Sequence, residues 1–272
     1  TSVFRPYDAR REGLDYLNRD KFVVTIEQAR FKQVPANYTK LDASQIKVIN
    51  HDARESALVP RQEKGIRPSC ALPYELNAEG GLSADGTSLE LRLTAGNTLH
   101  GGRAAGAPFN VYLRDLIRRE GDGFQAATYA VEAGASVVRS YPRSMFRERY
   151  SVEVHAPNGF YRSFTGAGSS APVQVELEYE KHGSGLTGNV IVHLRNRGSK
   201  AVEAIVVDNA YRSEQQQRRV QAGDSGSVLL NLQKSHGWYD FSVKTDGAEA
   251  RYAGRVETGS ASFTDLLMGG LV

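Results

Sequence analysis

The groups in this 272-residue sequence that could carry a reaction are six histidines, one cysteine and its carboxylates, and their spacing assigns them none. His51, His100, His155, His182, His193 and His236 stand far apart, several beside glycine in expected turns, where a solvated or hydrogen-bonded imidazole is the ordinary outcome. His193 alternates with apolar residues and is expected to face outward. Asp208-Asn209 offers oxygen ligands for a metal, but an acid at a strand end more commonly caps its own turn. No H-E-x-x-H, G-x-S-x-G or G-x-x-x-x-G-K is present, although sites assembled from distant residues escape such a search. Cys70 is alone, so neither an intrachain disulfide nor a multi-cysteine metal site can form.

Binding chemistry has one candidate. Arg139, Tyr141, Arg143, Met145, Phe146 and Arg147 crowd into a loop before an expected strand. Their rings could sit at headgroup depth while guanidinium groups meet phosphates. The competing reading is a solvated loop that packs its aromatics on its own domain. Trp238, beside Tyr239, is expected to be a core or edge aromatic rather than a sugar platform. The formal charge of +3 is too weak to imply nucleic acid and is compatible with an anionic membrane surface. No run approaches the roughly 20 apolar residues of a membrane span.

The elements that must position these groups change character along the chain. Phe22, Ile26 and Ala29 recur at helical spacing behind Asp20, and Asp42 with Gln45 resembles a capping box for a second short helix carrying Ile46 and Ile49. Pro60, Gly65, Pro68 and Pro73 then mark an extended linker. Beyond it the period becomes two: Leu89, Leu91 and Leu93 alternate with Glu90 and Arg92, as Val190, Val192 and Leu194 do with Ile191 and His193. Asp85-Gly86, Asn158-Gly159 and Asp246-Gly247 are hairpin signals, in which both central residues are expected at positive φ.

An internal repeat organises these strands. Leu89 to Leu93 lies over Val190 to Leu194, and Phe109 to Tyr112 over Ile205 to Val207. Val131 to Ser136 matches Val220 to Ser225, and Tyr150 to Val154 matches Phe241 to Lys244. The expected fold is therefore mainly β, two tandem immunoglobulin-like antiparallel sandwiches after a short helical segment and an extended linker. The boundaries are 1–57 helical, 58–72 linker, 73–166 first sandwich, 167–171 hinge, 172–259 second sandwich and 260–272 tail.

Several stretches carry a family resemblance: Phe4 to Asp8, Arg19-Asp20 with the helix to Phe31-Lys32, Pro68 to Leu76, Ala107 to Tyr112, His155 to Phe160, Tyr252 to Gly259 and Met268-Gly269-Gly270. Together they resemble the C-terminal region of the bacterial phosphocholine-preferring phospholipases C. The resemblance implies a parent enzyme with a large N-terminal catalytic domain followed by two C-terminal β domains. It also implies export, often already folded by the twin-arginine route, hence a secreted or periplasmic home. The catalytic residues, and any divalent metal, belong by this resemblance to the catalytic domain, so no catalytic residue, metal ligand or cofactor is expected in this chain.

The expectation is accordingly a chain without activity of its own, an accessory piece of a phospholipase C. Its partners would be the parent's catalytic domain, a phospholipid membrane or a protein, and not nucleic acid. The helical segment before the linker would complete or pack on the catalytic domain. The alternative is a free-standing surface or carbohydrate-binding sandwich. The start at Thr1 rather than Met is expected of a piece of something longer.

Overall fold

The computed structural model describes residues 40–53, 56, 65–117, 124–167 and 173–268. The expected first helix behind Asp20, most of the linker and residues 168–171 of the hinge lie outside them, as do the stretches before Lys40 that carry part of the resemblance. The chain divides into two compact units, Thr1–Pro60 and Arg61–Val272.

The first unit contributes helix α1 (Ala43–His51). The capping box is present: the Asp42 carboxylate accepts from the Ser44 and Gln45 amides, and Gln45 Oε1 accepts from the Asp42 amide at 3.0 Å. These bonds satisfy amides that a helix start leaves without partners. The helix buries no residue, and Ile46 and Val48 are exposed.

The second unit is built from antiparallel strands, as the period-two pattern predicts. They are β1 (Pro68–Ser69), β2 (Leu76–Leu82), β3 (Ser88–Ala95), β4 (Ala107–Leu116), β5 (Gln125–Val131), β6 (Ala135–Pro142), β7 (Phe146–His155) and β8 (Tyr161–Ala167). Then come β9 (Val173–His182), β10 (Gly185–Asn196), β11 (Val202–Asp208), β12 (Gln216–Val220), β13 (Ser225–Leu230), β14 (Trp238–Thr245), β15 (Ala248–Arg255) and β16 (Ser262–Phe263).

The two halves share one strand order. A three-stranded sheet β2-β3-β6 faces β5-β4-β7-β8 in the first half, and β9-β10-β13 faces β12-β11-β14-β15 in the second. Alternation decides the inward set. Leu89, Leu91, Leu93, Phe109, Val152 and Val154 are fully buried in the first half, and Val190, Val192 and Leu194 in the second.

The hinge expectation did not foresee how the halves join. β8 pairs antiparallel with β15, from Tyr161 opposite Ala253 to Gly166 opposite Ala248, so the two four-stranded layers run together as one eight-stranded sheet. Equivalent edge strands paired antiparallel are what a local two-fold between copies produces, and each covers the other's unpaired edge.

Arg162 of β8 lies at this seam with no exposed surface. Its Nη1 donates to the carbonyls of Tyr161 and Ala253, and its Nη2 to the Tyr239 hydroxyl, each at 2.8 Å. The rings of Phe160, Tyr252 and Tyr239 surround it, with its central carbon 4.1, 5.1 and 5.4 Å from their centroids. Tyr179 extends the network across the halves by donating to the Leu76 carbonyl at 2.9 Å. Burial pushes the Tyr179 and Tyr252 hydroxyls well above their ordinary range, so both stay neutral donors.

The turns are more varied than the Asx-Gly pairs suggest. Only Asn158-Gly159 puts both residues at positive φ, 62° and 69°. At Asp85-Gly86 only the glycine does, because the Asp85 side chain makes the turn instead. Its carboxylate accepts from the Ser83 and Thr87 hydroxyls and the Thr87 amide, which holds its pKa down at about 2. Asp246-Gly247 likewise has positive φ at the glycine alone.

Candidate functional site

The arginine and aromatic cluster separates by face. Tyr141 and Phe146 are buried, and Met145 packs against the core. The Arg143 guanidinium donates to the carbonyls of Phe146, Arg147 and Glu148, stapling the short turn ahead of β7. Arg139 stacks over Tyr129 with 4.7 Å to the ring centroid, and Arg147 is exposed. The expectation that these rings insert among headgroups is therefore corrected for Tyr141 and Phe146. Strand alternation turns them inward, and only the guanidinium side of the cluster faces out.

Other candidates resolve in the same way. The Asp208 carboxylate accepts from the amides of Ala210, Tyr211 and Ser213. Burial acts to raise its pKa, but these donors outweigh it and hold the group below its usual range, as suits a turn cap. His193 faces out and bonds Glu178 at 2.8 Å. Among the described residues no group of three or more His, Cys, Asp or Glu gathers as metal ligands would. Cys70 is exposed and free.

The structure instead assembles a site from stretches remote in sequence. Arg255, the last residue of β15, and Glu257 just beyond it form an ion pair at 3.3 Å with each side chain only 2% exposed. Glu257 Oε1 also accepts from Asn158 Nδ2 at 2.7 Å, and Oε2 accepts from the Leu72 amide at 3.1 Å. Arg255 Nη1 donates to Ser69 Oγ, and the guanidinium lies 5.7 Å from the Trp238 ring centroid. One buried charge pair thus ties the linker, the β7–β8 turn and the end of the second half together.

Neighbouring contacts close this anchor. β1 pairs with β16, joining Pro68 to Phe263 and Ser69 to Ser262, and the Trp238 indole donates to the Phe263 carbonyl at 3.1 Å. Asn158 reaches Glu257 from the left-handed conformation, which amide side chains tolerate better than most. Gly159 beside it is required twice over, since its φ is 69° and a Cβ there would lie 3.2 Å from the Trp238 ring.

A second feature is spread over the outer face of the eight-stranded sheet. Phe124 stacks on Tyr112, Tyr112 meets His155 edge-on, and His155 meets Tyr161, with centroids 5.8, 5.4 and 4.9 Å apart. Arg251 continues the row over Tyr161 and is held bidentate by Asp240. Arg114 at the other end is held bidentate by Glu153. The row crosses the seam and is close to electrically neutral.

The family described as bacterial phospholipase C, C-terminal domain, matches residues 68–167 and again 173–255. This chain belongs to that phospholipase C family. The two matched stretches are the two seven-stranded halves. The chain is 39% identical over 238 residues to a non-hemolytic phospholipase C of Pseudomonas aeruginosa, covering 84% of this chain and 32% of that protein. It is 35% identical to the same organism's hemolytic phospholipase C, over 79% of this chain and 31% of the relative. It is 36% identical to a non-hemolytic phospholipase C of Burkholderia pseudomallei, over 77% and 29%. The chain thus spans about a third of the length of these phospholipases C. No helix of its described residues is long and apolar enough to cross a membrane.

Three of the stretches that carry the phospholipase C resemblance meet at the anchor: Ser69 and Leu72 from the first, Asn158 from the second, Arg255 and Glu257 from the third. All five residues fall inside those stretches, and their spacing in sequence does not announce a site. The available signal was an adjacent Arg-x-Glu at the end of an apolar strand, where charges are rarely buried unless paired.

Proposed function

We propose that this chain is the non-catalytic C-terminal portion of a secreted phospholipase C, one that hydrolyses phosphatidylcholine or sphingomyelin to phosphocholine. In this reading its paired sandwiches are a rigid accessory module that binds membrane, substrate or partner. Two facts support the C-terminal assignment: the family matched is a C-terminal domain, and the chain spans about a third of its relatives. The module reading is carried by the anchor, because the linker amide of Leu72 and hydroxyl of Ser69 are tied to a buried ion pair in the second half. A linker fixed in this way gives whatever precedes it a set direction, where a Gly/Ser-rich tether would leave it free.

The test is hydrolysis of a chromogenic phosphocholine ester, with divalent metal supplied, by this chain alone and by the full-length parent. Turnover by the parent only is expected, and metal-dependent turnover by the chain alone overturns the reading. In the full-length protein Glu257→Gln is expected to lower activity on phosphatidylcholine vesicles more than on the small ester; equal losses would remove the orienting role.

The aromatic row favours one alternative, a surface or carbohydrate-binding sandwich. Half-exposed rings on a neutral sheet face, flanked by hydrogen-bonding groups, suit an uncharged polyhydroxylated ligand. Retention of the chain on a neutral polysaccharide, lost in Tyr112→Ala and Tyr161→Ala, would favour this reading over the first.

A further inference from the structure

Beside the anchor a cavity of about 310 Å³ opens in the second half. Thr187, Asn231, His236, Arg255, Thr258 and Ser262 contribute hydroxyls, an amide, an imidazole and a guanidinium to its lining, and among the described residues no Asp or Glu lines it. Among the described residues Arg255 is the only permanently charged one in the lining, and its partner Glu257 does not line the cavity, so the charge presented to an occupant is positive.

The walls are made by irregular backbone. The pairing of β10 with β9 shifts between Leu186 and Val190, and Gly188 there has a φ of 93°. On the opposite side His236 and Gly237 are consecutively left-handed, at 55° and 82°. For histidine that conformation costs of order 1 to 2 kcal/mol, and such strain concentrates at binding sites. Gly237 is confined as well, since a Cβ would lie 3.3 Å from the Val256 carbonyl.

Arg255 itself is incompletely satisfied. Its Nη1 contacts to Ser69 and Glu257 are both 3.3 Å, long beside the roughly 2.7–2.9 Å of a good charge-assisted bond, and its Nε–H has no partner among the described residues. A guanidinium carries five donors, so this one retains capacity for an acceptor. We propose that the cavity binds a compact oxyanion, a phosphate group, which Arg255, His236 and the hydroxyls of Thr258 and Ser262 would hold. The group could arrive as free phosphate or as part of a lipid headgroup, and the recognising chemistry is the same.

The experiment titrates inorganic phosphate into the full chain at constant ionic strength and follows backbone amide NMR shifts. Saturable shifts grouped at residues 187–189, 231–237 and 255–262, absent with chloride, are expected. His236→Asn keeps a residue that tolerates left-handed backbone and removes the imidazole; it should weaken binding about tenfold, as should Thr258→Val. Shifts that follow ionic strength, scatter over the surface, or persist unchanged in both variants would overturn the proposal. Cosedimentation with phosphatidylcholine vesicles, with and without phosphatidic acid, then separates the sources: binding competed by phosphate assigns the headgroup, and its absence beside saturable phosphate binding assigns the free ion. The readout is binding alone, so its failure leaves the accessory-module reading standing.

Discussion

Arg162 and Arg255 are both buried arginines near the meeting of the two halves, and they are held in opposite ways. Arg162 has carbonyls, a hydroxyl and three rings around it and no ion-pairing carboxylate among the described residues. Arg255 is paired with Glu257, and the pair is shared with the linker and the β7–β8 turn. A charge solvated by neutral dipoles and ring faces is fixed once the sheet forms, because every group that accepts a hydrogen bond from it belongs to a paired strand. A charge balanced by one carboxylate depends on that single group, and so do the segments fastened to it. The seam is therefore part of the fold, whereas the anchor is a fastening laid on it.

The largest effect should come from breaking the seam. Arg162→Ala removes three hydrogen bonds and leaves a void among aromatic rings, so a loss of about 3–5 kcal/mol is expected in a denaturant titration. It should also separate the unfolding of the two halves into distinct transitions. Arg162→Met, closer in volume, should recover a good part of the loss if packing rather than charge holds the seam. A single transition with a loss under about 1 kcal/mol for the alanine variant would show that the strand pairing alone joins the halves.

Breaking the anchor should cost somewhat less and act locally. Glu257→Gln preserves shape but leaves Arg255 as a buried charge without a counterion, at about 3 kcal/mol. Faster hydrogen exchange of the Leu72 amide should accompany it, while amides along β8 and β15 stay protected. If those strands lose protection too, seam and anchor are one cooperative element and the contrast drawn above fails.

Asn158 gives a finer cut. Asn158→Gly removes the bond to Glu257 but suits a φ of 62°, for about 1 kcal/mol. Asn158→Ala also strains the backbone, for roughly 1–2 kcal/mol more. Equal effects of the two substitutions in thermal unfolding would mean the turn relaxes and the anchor does not depend on its conformation.

Much of the β architecture was legible because burial in a sandwich writes itself as alternation. Leu89, Leu91 and Leu93 could only face one way, and the repeat aligned Gly134 with Gly223, both at positive φ in the structure. The join between halves was hidden, since a strand's own pattern does not name the partner of its free edge. Arg162 sits at an inward position of β8 and reads as a break in the alternation rather than as the centre of the seam. The anchor was hidden for another reason: Ser69, Leu72, Asn158 and Glu257 are brought together by long-range topology that spacing does not encode. In the arginine-rich loop composition left two readings open, and strand phase decides between them by turning Tyr141 and Phe146 inward.

The smallest expected effect concerns the place where the halves face each other without strand pairing. A groove of about 300 Å³ runs between them, lined by residues of β2 and β3 on one side and β9 on the other. Glu79 of β2 faces it; burial chiefly, then repulsion from Glu176 of β9, raise its pKa, and Arg92 offsets part of this from 4.0 Å. A carboxyl whose folded pKa lies above its unfolded value is costly when charged, so it weakens the fold at neutral pH. That cost fades as pH falls through the folded value and vanishes below the unfolded one. Glu79→Gln should therefore stabilise the fold slightly at neutral pH, by less than about 1 kcal/mol in a denaturant titration given the exposure of this site, and the gain should shrink on acidification. A destabilising Glu79→Gln at neutral pH would mean that the bond it accepts from Asn77 Nδ2 at 3.4 Å and its contact with Arg92 outweigh the repulsion. The groove would then belong with the seam as an element that binds the halves, rather than as a gap held open between them by like charge.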